Sequence, residues 1–269
     1  MDAKELFKAG KLDEAIAAAS DDVKRHAVDS SRRGFLCELL CYAGDWSRAD
    51  AQLDVIGGLD AQLMLGINVF RQLIRAEQAR QQFFTEGRVP EFLDPPAPHL
   101  ERCLKASICL RENRTAEAAK LLDEAESLRP TVSGVCDGQP FADLRDVDDL
   151  TAPVFEVLTS NGKYYWIPVE RVELIEFRPP EHPRELLWRR VHMVVRDGPD
   201  GEVFLPTLYS GSAADPDERF RMGRMTDWRG GDGSPVRGVG QRMFLIGDDG
   251  RGIMELQQIT IEYGKSTGP

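Results

Sequence analysis

The feature that most constrains this chain is a match of the sequence to itself. Lys8-Ala9-Gly10-Lys11-Leu12-Asp13-Glu14-Ala15 aligns with Tyr42-Ala43-Gly44-Asp45-Trp46-Ser47-Arg48-Ala49, so that Gly10 to Gly44 and Ala15 to Ala49 are both 34 residues apart. A period near 34 is that of tetratricopeptide-type helix pairs, each of which buries its apolar face only against the next pair. Each shared position has a physical reason. The glycine ends one helix because it accepts the left-handed backbone of a C-terminal cap. Leu12 or Trp46 fills the corner between helices, and the small alanine lets the two helices approach. A third copy, Glu112-Asn113-Arg114-Thr115-Ala116-Glu117-Ala118, carries Asn113 in place of the glycine, and asparagine is the next residue to tolerate that backbone.

Residues 1 to about 130 therefore read as helix. They are rich in Ala, Leu, Glu, Gln and Arg, with apolar residues at helical spacing. A longer divergent helix is predicted from about Ala61 to Thr85, then a break at Gly87, Pro90, Pro95, Pro96 and Pro98. Pro130 stops the last helix. Thr131 to Gln139, rich in Gly, Ser and Asp, is taken as the boundary between a helical domain (1–130) and a second domain (140–265).

Beyond the boundary the period changes. Val154–Leu158 and Tyr164–Pro168 read as strands around an Asn161-Gly162 turn. Further strands are predicted at Val172–Phe177, Trp188–Val195, Val203–Leu205, Gln241–Ile246 and Ile253–Tyr263. Short helices are placed at Pro183–Leu187 and Pro216–Gly223. The fold class is α+β: an all-α helix-pair superhelix followed by a smaller, mostly antiparallel domain.

Net charge is −11. Such a field opposes general nucleic-acid binding and attachment to anionic membranes. No stretch approaches a membrane span, the N-terminus has no secretory signal pattern, and five cysteines without framework spacing fit a reducing cytosol. A cytoplasmic location is expected.

Candidate chemistry is sparse. Asp146, Asp148 and Asp149 could offer oxygen ligands to a divalent metal, and a hydrolase built on them would need His182 or His192 nearby. The alternative is a loop cluster that caps backbone N–H groups and pairs with arginines. Cys37, Cys41, Cys103, Cys109 and Cys136 lack the companions a zinc site requires and read as buried side chains. Gly264-Lys265-Ser266 lacks the rest of a phosphate loop. Gly230-Gly231-Asp232-Gly233 reads as a flexible loop. No cofactor and no catalytic constellation is called for.

Aromatics concentrate in the second half at Trp166, Trp188, Tyr209 and Trp228. As core they need no explanation. As an exposed cluster with Arg189, Arg224 and Arg237 they would form a binding hot spot. The core reading is preferred for most, and binding for the Gly-rich segments around Arg224–Trp228 and Arg237, where Arg–Asp pairing that pins loops together is the structural alternative.

Five segments occur in order: Arg145-Asp146-Val147-Asp148-Asp149; Leu187-Trp188-Arg189-Arg190; Glu202-Val203-Phe204-Leu205-Pro206-Thr207-Leu208-Tyr209-Ser210-Gly211-Ser212; Gly223-Arg224-Met225-Thr226-Asp227-Trp228; and Pro235-Val236-Arg237-Gly238-Val239-Gly240-Gln241-Arg242. Following a helical-repeat half, they resemble the ImpE family, also called TagJ or SciE-type proteins. The resemblance implies a non-enzymatic cytoplasmic accessory factor of the bacterial type VI secretion system. It implies association with the small subunit of the contractile sheath, and a link to the ClpV-type AAA+ ATPase that disassembles the sheath. Partner-binding candidates are Arg145, Asp148, Asp149, Trp188, Arg189, Tyr209, Arg224, Asp227, Trp228, Arg237 and Gln241. A general repeat-type scaffold for another complex is the alternative, with a metal-assisted hydrolase at Asp146–Asp149 the poorest.

Overall fold

The computed structural model describes residues 1–262. The N-terminal half is all helical: α1 (Ala3–Lys8), α2 (Leu12–Arg25), α3 (Ser30–Tyr42), α4 (Trp46–Leu59), α5 (Met64–Glu86), α6 (Pro98–Arg111) and α7 (Thr115–Leu128). The three repeat corners fold alike. Gly10, Gly44 and Asn113 all have positive φ (83°, 68° and 59°). At each, the next residue's N–H reaches the carbonyl five positions back: Lys11 to Leu6 at 3.0 Å, Asp45 to Leu40 at 2.9 Å and Arg114 to Cys109 at 2.8 Å. This is the double hydrogen-bonded cap that a left-handed residue permits. Leu12, Ala15, Ala49 and Ala118 are buried at the corners.

The second half is a mixed, mostly antiparallel β structure. Its strands are β1 (Ser133–Cys136), β2 (Gln139–Phe141), β3 (Leu144–Asp146), β4 (Val154–Leu158), β5 (Tyr164–Pro168), β6 (Val172–Phe177), β7 (Trp188–Val195), β8 (Asp200–Pro206), β9 (Thr226–Gly231), β10 (Ser234–Gly240), β11 (Met243–Ile246), β12 (Asp249–Gly252) and β13 (Gln258–Glu262). A short helix α8 (Glu218–Arg221) precedes β9. An eight-stranded sheet runs β2-β1-β13-β6-β7-β8-β4-β5. A three-stranded sheet, β12-β11-β3, and the hairpin β9–β10 complete it.

Several sequence expectations need correction. The stretch taken as a linker carries β1, which pairs with β13 from Ser133 opposite Glu262 to Cys136 opposite Ile259. Its short length and Gly134 hid the strand pattern. Gly134 is required there, because a Cβ would lie 2.1 Å from the Thr260 carbonyl oxygen. Gly230–Gly233 is not a free loop but the turn of β9–β10, with all four residues at positive φ. Ile253–Leu256 is a turn that buries Ile253 and Leu256, and only Gln258–Glu262 of that segment is strand. Tyr263 and Gly264-Lys265-Ser266 lie outside the described residues.

The two halves share a core. β4 is buried along its whole length. Val154 and Leu158 face the helical side with Tyr164, Trp166 and Trp188, while Phe155 and Val157 face a second cluster with Phe244, Ile175 and Val191. Helix α5 supplies the matching surface. Its buried Phe70, Leu73, Ile74, Ala76 and Phe83 follow helical spacing, and Phe83 packs edge-on against Trp166 at 4.8 Å. The α5–α6 connection covers the open edge of β5, where the Glu91 N–H donates to the Tyr164 carbonyl at 2.9 Å and the Glu91 carbonyl accepts from Trp166 N–H at 3.1 Å.

Candidate functional site

Two features stand out where the halves meet: a buried ion network and an open apolar groove. The network begins on α5. The Arg80 guanidinium donates to both oxygens of Glu156 on β4 (3.0 and 3.1 Å), to Glu77 (3.0 Å) and to the Leu208 carbonyl (2.9 Å). Arg242 bridges Glu156 and Asp146, and Tyr164 donates to Glu156. Asp146, Glu156, Arg80, Arg242 and Glu77 are each under 5% exposed. Burial alone would raise the Glu156 carboxyl, but Arg80 and Arg242 outweigh it and hold it down at about 2. Asp146 goes the other way. Burial pushes it up to about 6 against the pull of Arg242, with Asp148 adding to the rise.

The aspartate cluster is committed to this scaffold. Asp148 accepts from Arg237 Nε (2.8 Å) and from the N–H groups of Gly238 and Leu150 (both 3.0 Å). Asp149 pairs with Arg145 at 2.9 Å and accepts from Val236 N–H at 2.7 Å. Neither histidine joins them: His192 lies 3.0 Å from Asp200, and His182 is on the β6–β7 loop. Among the described residues no group of three or more His, Cys, Asp and Glu is placed to hold a metal. All five cysteines are free and buried, four on helices and Cys136 on β1.

The remaining candidates divide by position. Trp188 is buried, stacks on Trp46 at 6.2 Å and donates to Glu77 at 3.2 Å. Arg189 is buried and donates to the carbonyls of Ile253 (3.1 Å) and Leu256 (3.2 Å). The buried Tyr209 donates to Asp146 at 2.8 Å, and its ring lies edge-on to Trp228 at 5.7 Å. Gln241 donates to the Gly223 carbonyl at 2.8 Å. Arg237 pins β10 to Asp148, as the loop-pairing alternative anticipates. Asp227 is exposed and accepts from Trp228 N–H at 2.9 Å. Arg224 is exposed, and it reaches not an aspartate but the C-terminal carbonyls of α1, Phe7 (2.6 Å) and Lys8 (2.9 Å).

Arg224 thereby stands at the rim of the second feature, a groove of about 850 Å³. Helices α1, α3, α4 and α5 form its floor and sides, chiefly through Phe7, Phe35, Leu53, Ile56, Ile67 and Phe70. The β6–β7 loop, residues 180–186, forms the remaining wall. Gly34 and Gly66 also line it, and a Cβ on either would meet nothing within 4 Å. Beside it, Leu59, Leu63, Met64 and Leu65 at the α4–α5 corner are exposed, Leu65 at 79%. Of the partner-binding candidates read from the sequence, Arg224 alone lines this groove. Its lining runs from Lys4 to Arg224, segments far apart in the chain, so no local pattern marks it.

Comparison with known proteins now decides the family. The model described as "ImpE protein" matches residues 138–260. The type VI secretion system accessory component TagJ of Pseudomonas aeruginosa is 31% identical over 262 residues, which are 97% of this chain and 92% of that protein. This chain belongs to the ImpE/TagJ family. A crystal structure of protein VPA1032 from Vibrio parahaemolyticus matches with a TM-score of 0.91 at 25% identity, covering 98% of each chain. The agreement runs through both halves of the chain, so the helices, the sheet and their docking are compared together.

Proposed function

We propose that this chain is a non-enzymatic, cytoplasmic accessory component of a type VI secretion system that binds a protein partner in the groove of its helical half. The partner is the small subunit of the contractile sheath, and the complex is linked to the sheath-disassembling ClpV-type AAA+ ATPase. The observation that carries the reading is the groove: a concave apolar surface flanked by exposed leucines, on a family member whose polar clusters are consumed internally. Family membership supports the assignment to the secretion machine. In keeping with their shared corner caps, the helix pairs are read as a tetratricopeptide-like superhelix. The helical and β segments, 1–130 and 140–265, are read as two domains docked into one rigid body by the Arg80–Glu156 pair. Arg224 and the β6–β7 loop form the partner-facing part of the second domain, and Trp188, Arg189, Tyr209 and Arg237 act by holding its shape.

The test is capture of partners from lysate of the source bacterium by wild type and by Gly34→Leu. A Cβ at Gly34, which lines the groove, would meet nothing within 4 Å, and the leucine is introduced to fill that space. The expected result is sheath small subunit and ATPase retained by wild type and lost by Gly34→Leu at unchanged thermal stability. Retention of the subunit by Gly34→Leu would place binding elsewhere. Enrichment of an unrelated complex would favour a general repeat scaffold.

A further inference from the structure

The groove's charges point to what it reads. A chain of net charge −11 gathers four cations at this mouth, Lys4, Lys8, Arg184 and Arg224. Among the described residues Lys4, Lys8 and Arg224 have no carboxylate partner: Lys4 lies over the Phe35 ring at 5.9 Å, and Arg224 is on carbonyls. Arg184 is different. It extends from the β6–β7 loop to Glu38 on α3, Nη1 to Oε1 at 3.0 Å, with its guanidinium over the Phe70 ring at 5.4 Å. The pair is lopsided, since the Arg184 side chain is 33% exposed and that of Glu38 only 8%. A cation facing the groove is held by an acid beneath it.

We propose that Arg184 determines the specificity of this groove by exchanging Glu38 for a carboxylate on a docked amphipathic helix. The inference rests on the docking reading above and adds the chemistry of the occupant. A helix fits because the groove is walled by helices and a short 3-10 turn, with no strand edge among the described residues lining it. An extended occupant would leave its backbone N–H and carbonyl groups unmatched, while a helix satisfies its own and offers an apolar face. An acidic helix fits the cationic mouth.

The exchange has a proton balance. When Arg184 turns to the incoming carboxylate, Glu38 is left buried and unpaired, which is costly for a charged group. Burial already pushes its carboxyl up to about 7 with Arg184 in place, so on losing Arg184 it takes a proton from water and becomes neutral. One ion pair replaces another, and one proton moves from solvent to Glu38. The other groups around Glu38 are Glu185 on the β6–β7 loop and Tyr42 and Cys41 on α3. Lys4, Lys8, His182, Glu181 and Arg224 stand around the same groove. Tyr42, whose hydroxyl donates to the Pro183 carbonyl at 2.8 Å, keeps the loop in place when the pair opens.

The experiment selects binders for the full-length protein from a displayed library of amphipathic helical peptides of about five turns, followed by calorimetry on the best binder. Wild type is expected to enrich leucine or phenylalanine at helical spacing together with Asp or Glu on one flank. Arg184→Gln should bind the selected peptide at least about tenfold more weakly. Glu38→Gln breaks the same internal pair but keeps the cation, and should bind as tightly or more tightly. Wild type titrated near pH 8 in two buffers of different ionisation enthalpy should take up as much as one proton per complex, and Glu38→Gln none at this site. Selected helices without acid enrichment, equal affinity in Arg184→Gln, or equal losses in both variants would overturn the exchange while leaving docking intact. A library that yields no binder would overturn the docking reading and this inference together.

Discussion

Replacing Arg80 by methionine tests whether the two halves are one structure. The guanidinium makes two bonds to Glu156 across the seam, one to Glu77 and one to the Leu208 carbonyl, all between 2.9 and 3.1 Å. Methionine fills much of the volume but leaves Glu156 with Arg242 as its one cation beside the Tyr164 hydroxyl, and the Leu208 carbonyl without this donor. Removing one partner of a buried pair costs about 3–5 kcal/mol, mostly as the penalty on the charge left behind. Arg80→Met should therefore destabilise by that amount in urea, which leaves charge interactions unscreened. Adding Glu156→Gln removes the stranded charge, so the double variant should recover about 1–3 kcal/mol relative to the sum of the single effects. Far-ultraviolet circular dichroism follows the helices, and in a Trp46→Phe background fluorescence follows Trp166, Trp188 and Trp228 of the β half. The two transitions should coincide with Arg80 intact. A loss under about 1 kcal/mol, or two separated transitions with Arg80 intact, would refute the argument that buried charge locks the halves together.

Three further outcomes follow from particular residues. Glu38 has its folded-state pKa raised from 4.5 to about 7, so the folded state holds the extra proton and stability falls as pH rises through that window, by up to about 3 kcal/mol; Glu38→Gln should flatten that part of a melting-temperature profile, and an unchanged slope would sink the assignment. Glu156, held at about 2, acts oppositely: its contribution is full above its ordinary value and lost as pH falls from about 4.5 to 2, so Glu156→Gln should lessen acid destabilisation there. Gly238→Ala places a Cβ 2.3 Å from the Tyr209 ring, which must move and give up its bond to Asp146; a loss of about 2 kcal/mol or more is expected in urea unfolding, and a neutral effect would show that the ring yields freely.

What was legible in the sequence was local. The N-G turn, the strands Val154–Leu158, Tyr164–Pro168, Val172–Phe177 and Trp188–Val195, and the helix from about residue 61 were readable because period and turn chemistry are carried by adjacent residues. The hairpin β9–β10 escaped because its glycines imitate a loop, and β1, β3 and β12 because three or four residues show no period. The acidic run Asp146–Asp149 was readable as chemistry but not as one outcome. Its two alternatives, metal ligands or arginine partners, differ only in whether Arg145, Arg237 and Arg242 arrive, and two of those lie about 90 residues away.

The repeat corners were determined by sequence alone. Gly10, Gly44 and Asn113 tolerate the left-handed backbone, and the small Ala15, Ala49 and Ala118 admit close helix contact. The alternation along β7 and β13 likewise follows from which residues lie two apart. Only the tertiary structure decided that Arg80 finds Glu156, that Arg184 finds Glu38 and that the β6–β7 loop walls the groove. The physical reason is that burial and charge pairing depend on which distant segments meet in space, and desolvation then sets whether a carboxyl there sits near 2, like Glu156, or near 7, like Glu38.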